Sequence, residues 1–313
     1  MASVRAEHRS TKLSSPLLSN IKRYKFMYLL FIPAIIYFII FSYVPFYGLT
    51  IAFKKYMAFQ GIWDSPWVGL DNFRYIFSSE KFLTVLKNTV LIHTYALIFG
   101  FPIPILFAIL LNEVKNQLFK KTIQTVTYFP HFLSWVVFAG IVVNFVGPTG
   151  IINTILVNLG MQPLNFLTDT ELFRPMLIIT GIIKEFGWGA IIYLAAISGI
   201  DQELYEAARV DGAKRLRQIW HITLPGMRPI IILMFVLNLA SILDAGFDQV
   251  FNLYNPAVYE VADIIDTYVY RVGIQSTDYS IATAVGIFKG VVSCVLIISA
   301  NSMVRKWEGR SLW

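Results

Sequence analysis

The side chains in this 313-residue sequence that could do chemistry fall in two settings: charges inside long apolar runs, and one polar stretch between two such runs. The first group comprises Lys184, Glu185 and Lys289, with Asn238, Asp244 and Asp248 toward the end of another apolar run. A charge at the centre of a membrane helix costs about 2.5–3.5 kcal/mol on insertion scales, so each needs a cavity or a partner. Lys184 and Glu185 are adjacent, about 100° apart on a helix, and are predicted not to face one point. Lys184 and Trp188 share a face, and Asn238, Asp244 and Asp248 form a rough polar stripe. Hydrogen-bonding groups beside an aromatic ring can meet a solute that has both polar groups and C–H faces. Trp188, Asn238, Asp244 and Asp248 are therefore candidates for lining a passage, and the competing reading is that they bridge helices.

Other chemistries are poorly supplied. His8, His93, His131 and His221 lie in unrelated places, Cys294 is the single cysteine, and no HExxH pair occurs, so neither a metal site nor a disulfide is expected. No Ser/His/Asp constellation stands out. No GxxxxGK[ST] loop is present to cradle nucleotide phosphates, so this chain is not itself an ATPase.

The polar stretch runs from Gly199 to Arg228 and combines charge, small residues and helix breakers. Asp201 is predicted to cap a helix, Glu203 adds negative charge to its first turn, and Gly212 ends it in a left-handed turn. In a second short helix Leu216, Ile219, Trp220 and Thr223 share one side, while Lys214, Arg217, Gln218 and His221 take the other, the pattern of a helix at a membrane surface. Pro225 and Pro229 are expected to restart the chain as a new apolar helix.

These elements need a lipid solvent. The sequence is 56% apolar, 15% aromatic and 14% charged, whereas a soluble domain is about a quarter charged. Its formal charge of +7 is scattered over the ends of apolar segments and forms no stripe, which argues against nucleic acid. The length test for a bilayer core gives six spans: 26–47, 88–111, 124–146, 175–198, 229–251 and 279–304. With these bounds 17 Lys and Arg fall on the side of both termini and of Gly199–Arg228, against seven on the other. The positive-inside rule then predicts cytosolic termini and a cytosolic polar loop. Residues 1–25 read as a basic cytosolic tail and 305–313 as a second one, with Tyr43, Tyr47, Trp307 and Trp313 as interfacial anchors. Gly147-Pro148-Thr149-Gly150 is predicted to stop the third span, and 151–159 to form a short helix.

Glu206-Ala207-Ala208, three residues, Gly212, nine residues, Ile222, one residue, and Leu224-Pro225 reproduce in full the EAA signature of ATP-binding-cassette importer permeases. The flanking GID and LYEAARVDGA, and GFDQVFNLYNP further on, resemble the carbohydrate-uptake branch, in particular its complex-oligosaccharide and polysaccharide group. The resemblance implies an all-α integral membrane protein of six transmembrane helices, with a type I (MetI-like) permease core over 26–304 and one extra amino-terminal helix. It implies that Glu206, Ala207, Ala208, Asp211, Gly212, Leu224 and Pro225, within 199–228, dock into an ATPase subunit. A second homologous permease subunit, two ATPase subunits that bind ATP and Mg, an extracytoplasmic solute-binding protein and an oligosaccharide substrate are the implied partners. The chain would hold no cofactor or metal of its own, catalyse nothing, and lie multi-pass in a prokaryotic cytoplasmic membrane. Two other classes are weighed beside this. An ion-coupled secondary transporter would use Lys184, Glu185 and Lys289, and a membrane scaffold or receptor would transport nothing.

Overall fold

The structure is a computed structural model in which residues 23 to 308 are described. His8 and Trp313, with the tail residues around them, lie outside the described residues, as does the Trp307 side chain. Six helices are long and apolar enough to cross a bilayer: Lys25–Phe53, Glu80–Glu113, Trp135–Asn158, Thr170–Ser198, Arg215–Ala240 and Tyr279–Ser302, here called spans one to six. Among the described residues no β-sheet forms. The chain divides after Thr50 into two units.

Prolines shape three of the spans. The backbone widens by one residue per turn at Ile39–Tyr43, Ala96–Gly100 and Ile219–Thr223, just ahead of Pro45, Pro102 and Pro225. A proline ring presses on the carbonyl four residues earlier and donates no hydrogen bond. Those carbonyls belong to Phe41, Ile98 and His221, each inside a widened turn, so the helix absorbs the clash by opening and does not break.

This corrects the expected start of span five. Pro225 and Pro229 do not restart the chain; one helical path runs from Arg215 through both prolines to Ala240. The Arg215–Thr223 segment is accordingly the entry to the span and not a separate surface helix: Ile219 and Thr223 turn inward, while Leu216 and Trp220 are exposed. The far end differs too. The span stops at Ala240, a turn follows, and Gly246, at φ +79°, leads into a separate helix, Phe247–Leu253. Asn238 is on the span, Asp244 is in the turn and Asp248 is on the next helix, so the three form no stripe.

The third predicted span also divides. A helix Gln117–Tyr128, capped by Asn116, ends in a tight turn at Phe129–Phe132 that contains Pro130, and Ser134 caps a new helix, Trp135–Val146. Gly147 ends it, and Ile151–Asn158 follows as the expected short helix. Span four, Thr170–Ser198, is continuous, with Asp169 accepting from the Glu171 and Leu172 amides at its start. It packs closely on Gln117–Tyr128 at Gly187, where a Cβ would lie 2.2 Å from the Thr127 carbonyl oxygen.

Within the second unit the core lies in three large clusters and a small one of Val236 and Ala300. One joins Phe138 and Val142 to Phe173, Leu177, Val250 and Ile264. Another joins Ile76, Phe82 and Val85 to Ile265, Tyr268 and Val285. A third, toward the polar loop, packs Ala108 against Ala190, Tyr193 and Met227. Buried polar groups tie the first two together. Asn88 donates to the Glu260 and Asp263 carbonyls and accepts from Arg174 at 2.6 Å. Asp263, 3% exposed, accepts from Thr267 and is held by both terminal nitrogens of Arg271. Burial works against the Arg271 charge, but the hydrogen bond and charge of Asp263 outweigh it and hold the guanidinium above its ordinary value.

Candidate functional sites: the polar loop and the span-four cavity

The loop helix Gln202–Val210 forms as its sequence dictates. Asp201 accepts from the Glu203 amide at 2.9 Å, and Gly212 adopts φ +75°. The Ala213 amide returns to the Ala208 carbonyl at 2.8 Å, closing the helix end in the wrap that a left-handed glycine permits. Tyr205 faces back toward the spans and shares a hydrogen bond with the buried Thr223 hydroxyl at 2.9 Å, so the loop helix is fixed to the entry of span five. Glu206, Ala207, Asp211 and Gly212 are exposed, and Ala208 and Leu224 are half-buried. Pro225, also exposed, begins the tighter part of span five. Val210, 88% exposed, lies one turn on from Glu206 on the same side of the helix, and the ion pair of Glu206 with Arg209 is a loose 3.7 Å. A surface that is both apolar and charged, on a short capped helix, can seat in a protein cleft.

The second site is built where Gln117–Tyr128 ends. Carbonyls at a helix end need donors: that of Pro130 takes the Leu133 amide, and Lys184 of span four reaches the same turn, its Nζ donating to the Pro130 carbonyl at 3.2 Å and the His131 carbonyl at 2.8 Å. The ammonium also lies over the Trp135 ring. Glu185 meets the same turn, accepting from His131 Nδ1 at 2.7 Å and lying 3.4 Å from Lys184 Nζ. Lys184 and Glu185 therefore do face one point. The expectation from helical angle fails because both side chains are long enough to curve around the helix toward one residue. The His131 ring stacks on Trp188 at 4.5 Å and 3°, joining a third span-four residue to the turn.

Beside this turn lies a cavity of about 430 Å³, walled by spans two, four and five, by Trp135 of span three, and by the turn and helix that follow span five. Glu185, Asn238 and Asp244 line it; Trp188 and Asp248 do not. Trp188 is held one layer back by His131, and the exposed Asp248 sits in the first turn of Phe247–Leu253. The wall also contains His93 and Gln249, which the reading of the sequence passed over. His93 is 9% exposed, with Nδ1 3.1 Å from the Asp244 carbonyl oxygen and Nε2 2.9 Å from that of Asn238. It thereby holds span two to the frayed end of span five. Gln249 donates to the Leu177 carbonyl at 2.6 Å. A signal for His131 existed in the Pro130-His131 pair inside an apolar run; none existed for His93, whose partners are backbone atoms about 150 residues away. Lys289, the other intramembrane charge, donates to Asp266 at 2.6 Å.

A protein-family model described as the inner membrane component of binding-protein-dependent transport systems matches residues 100–310. Protein LplB of Bacillus subtilis (strain 168) is 46% identical over 297 residues, covering 95% of this chain and 93% of its own length. The polygalacturonan/rhamnogalacturonan transport system permease protein YteP of the same organism is 46% identical over 300 residues, with the same coverage. A chain in the crystal structure of a bacterial ABC transporter that imports the acidic polysaccharide alginate superposes with a TM-score of 0.87 at 45% identity, over 93% of this chain and 98% of that one. In a second crystal structure, of the alginate transporter with its alginate pentasaccharide-bound periplasmic protein, the corresponding values are 0.87 and 44%, over 95% and 99%.

Proposed function

This chain belongs to the family of inner membrane components of binding-protein-dependent transport systems, and we propose that it is the permease subunit of an ATP-driven oligosaccharide importer. It forms half of the translocation path with a second permease subunit. Two ATPase subunits bind ATP and Mg and dock on the Gln202–Val210 helix, and an extracytoplasmic binding protein delivers the sugar. The chain itself is non-catalytic. It lies in the cytoplasmic membrane with both termini and the polar loop in the cytosol, a placement supported by the Lys and Arg balance.

The observation that carries this reading is the exposed Glu206 and Gly212 on a helix fastened to span five through Tyr205 and Thr223. Closure of the ATPase pair pushes that helix, and span five carries the push to the end that holds Asn238. Asn238 and His93 then move against Glu185 and Gln249 across the cavity. This is a rigid-body exchange between two arrangements, driven from outside the membrane. The polysaccharides named for two relatives favour a uronate-containing oligosaccharide. The ion-coupled alternative loses its support, because the family match is to the inner membrane component of binding-protein-dependent transport systems and a relative at 46% identity is a transport system permease protein.

The test is purification of the tagged chain from its native membrane, followed by ATPase assays with the co-purified binding protein and a panel of oligosaccharides. Recovery of an ATPase subunit, and stimulation by uronate oligosaccharides above neutral ones, is expected. An assembly without an ATPase would overturn the reading, and stimulation by neutral sugars alone would overturn the uronate assignment.

A further inference from the structure

A hollow of about 690 Å³ opens between the end of span two, the loop helix and the start of span five. Lys115, Arg209, Lys214 and Arg215 line it against a single carboxylate, that of Glu113. Arg215 neutralises Glu113 at 2.5 Å, and Arg209 leans loosely on Glu206 outside the hollow. Among the described residues Lys115 and Lys214 form no ion pair, and both are exposed. The hollow therefore keeps a net positive charge that no group among the described residues neutralises.

Its depth identifies what meets that charge. Lys115 follows the end of the apolar window 88–111 by four residues and Arg215 is joined to Glu113, so the hollow sits just past the apolar end of span two, within reach of lipid phosphates. Just past each cation the chain presents exposed apolar side chains: Leu118 and Phe119 after Lys115, Leu216 and Trp220 after Lys214 and Arg215. Basic groups at headgroup level, followed by exposed apolar side chains including a tryptophan, is the arrangement that takes a phosphate on one side and acyl chains on the other. We propose that this hollow binds the headgroup of an anionic phospholipid of the cytosolic leaflet, with Lys115 and Lys214 as its principal phosphate contacts. The proposal rests on the orientation given above, though not on which sugar is carried. Because the same hollow is walled by Tyr205 and Thr223, a bound lipid braces the coupling helix against span five.

The test is native mass spectrometry of the purified full assembly after incubation with phosphatidylglycerol, phosphatidylcholine or inorganic phosphate. Retention of phosphatidylglycerol above phosphatidylcholine is expected, falling about fivefold for each lysine removed in Lys115→Gln and Lys214→Gln. The charge-keeping variants Lys115→Arg and Lys214→Arg should hold the lipid as the wild type does, and they guard against a loss caused by misassembly. Equal retention in the Gln variants overturns the proposal. So does retention of inorganic phosphate as strong as that of the lipid, which makes this a free-anion site. Loss of the ATPase subunits from the Gln variants with lipid retention unchanged assigns the hollow to the ATPase seat and equally overturns it. None of these outcomes depends on transport activity, so a failure here is distinguishable from a failure of the importer reading.

Discussion

Lys184 Nζ lies 2.8 Å from the carbonyl oxygen of His131, although the lysine is in the middle of span four and the histidine is in the turn that interrupts the preceding helix. At 3% exposure the lysine is removed from solvent, and of the two carbonyls it meets, that of Pro130 also takes the Leu133 amide while Lys184 is the donor to that of His131. A buried acceptor left unmet costs about 1–3 kcal/mol. Lys184→Met should therefore lower the thermal midpoint of the purified assembly by several degrees, and Lys184→Arg should recover part of it. An unchanged melt in Lys184→Met would remove the lysine from this role.

The cavity separates the four candidate pathway residues into two pairs. Asn238→Ala and Asp244→Ala alter the wall directly and should reduce ATPase stimulation by substrate-loaded binding protein several-fold, with basal ATPase activity retained. Asp248→Ala, off the cavity and exposed on this chain, should leave stimulation near the wild-type level. Trp188→Ala acts through His131 and should give an intermediate loss. A profile in which Asp248 matters most would place the path elsewhere.

Asp263 and Arg271 form a bidentate pair at the opposite end of the bundle from the loop, with Thr267 as a third member. Removing one partner of a buried pair costs about 3–5 kcal/mol, because the other charge is left unmet. Asp263→Asn should thus yield poorly assembled protein in a detergent-solubility assay. The charge-swapped double variant should not restore it, since the buried site is shaped for an aspartate and a longer arginine side chain at position 263 overpacks it.

How far the sequence showed this arrangement depends on the range of each interaction. The caps at Asp201 and the left-handed Gly212 were legible because each acts within a few residues. The six spans were legible because apolar length alone sets them. The behaviour of the prolines was not: whether Pro225 breaks a helix depends on whether the turn before it can widen, and here it does. Nor could helical angle place Lys184 and Glu185, whose convergence on His131 depends on side-chain reach and on a break 53 residues earlier in the chain. Asn238 and Asp244 were found by type, but the cavity they share with His93 and Gln249 required the tertiary contact of several segments.

The coupling role of the Gln202–Val210 helix is the claim on which the importer reading rests, and Glu206→Lys and Gly212→Val test it most directly. The first reverses an exposed charge, and the second forces a β-branched residue into φ +75°, where the Cβ has space but the backbone is strained. The measurement is substrate uptake into reconstituted vesicles, set beside the amount of ATPase subunit that co-purifies with each variant. Uptake falling more than tenfold, with this chain still inserted in the membrane and its ATPase partner weakened or uncoupled, is the predicted result. Uptake at the wild-type rate in both variants would contradict the account.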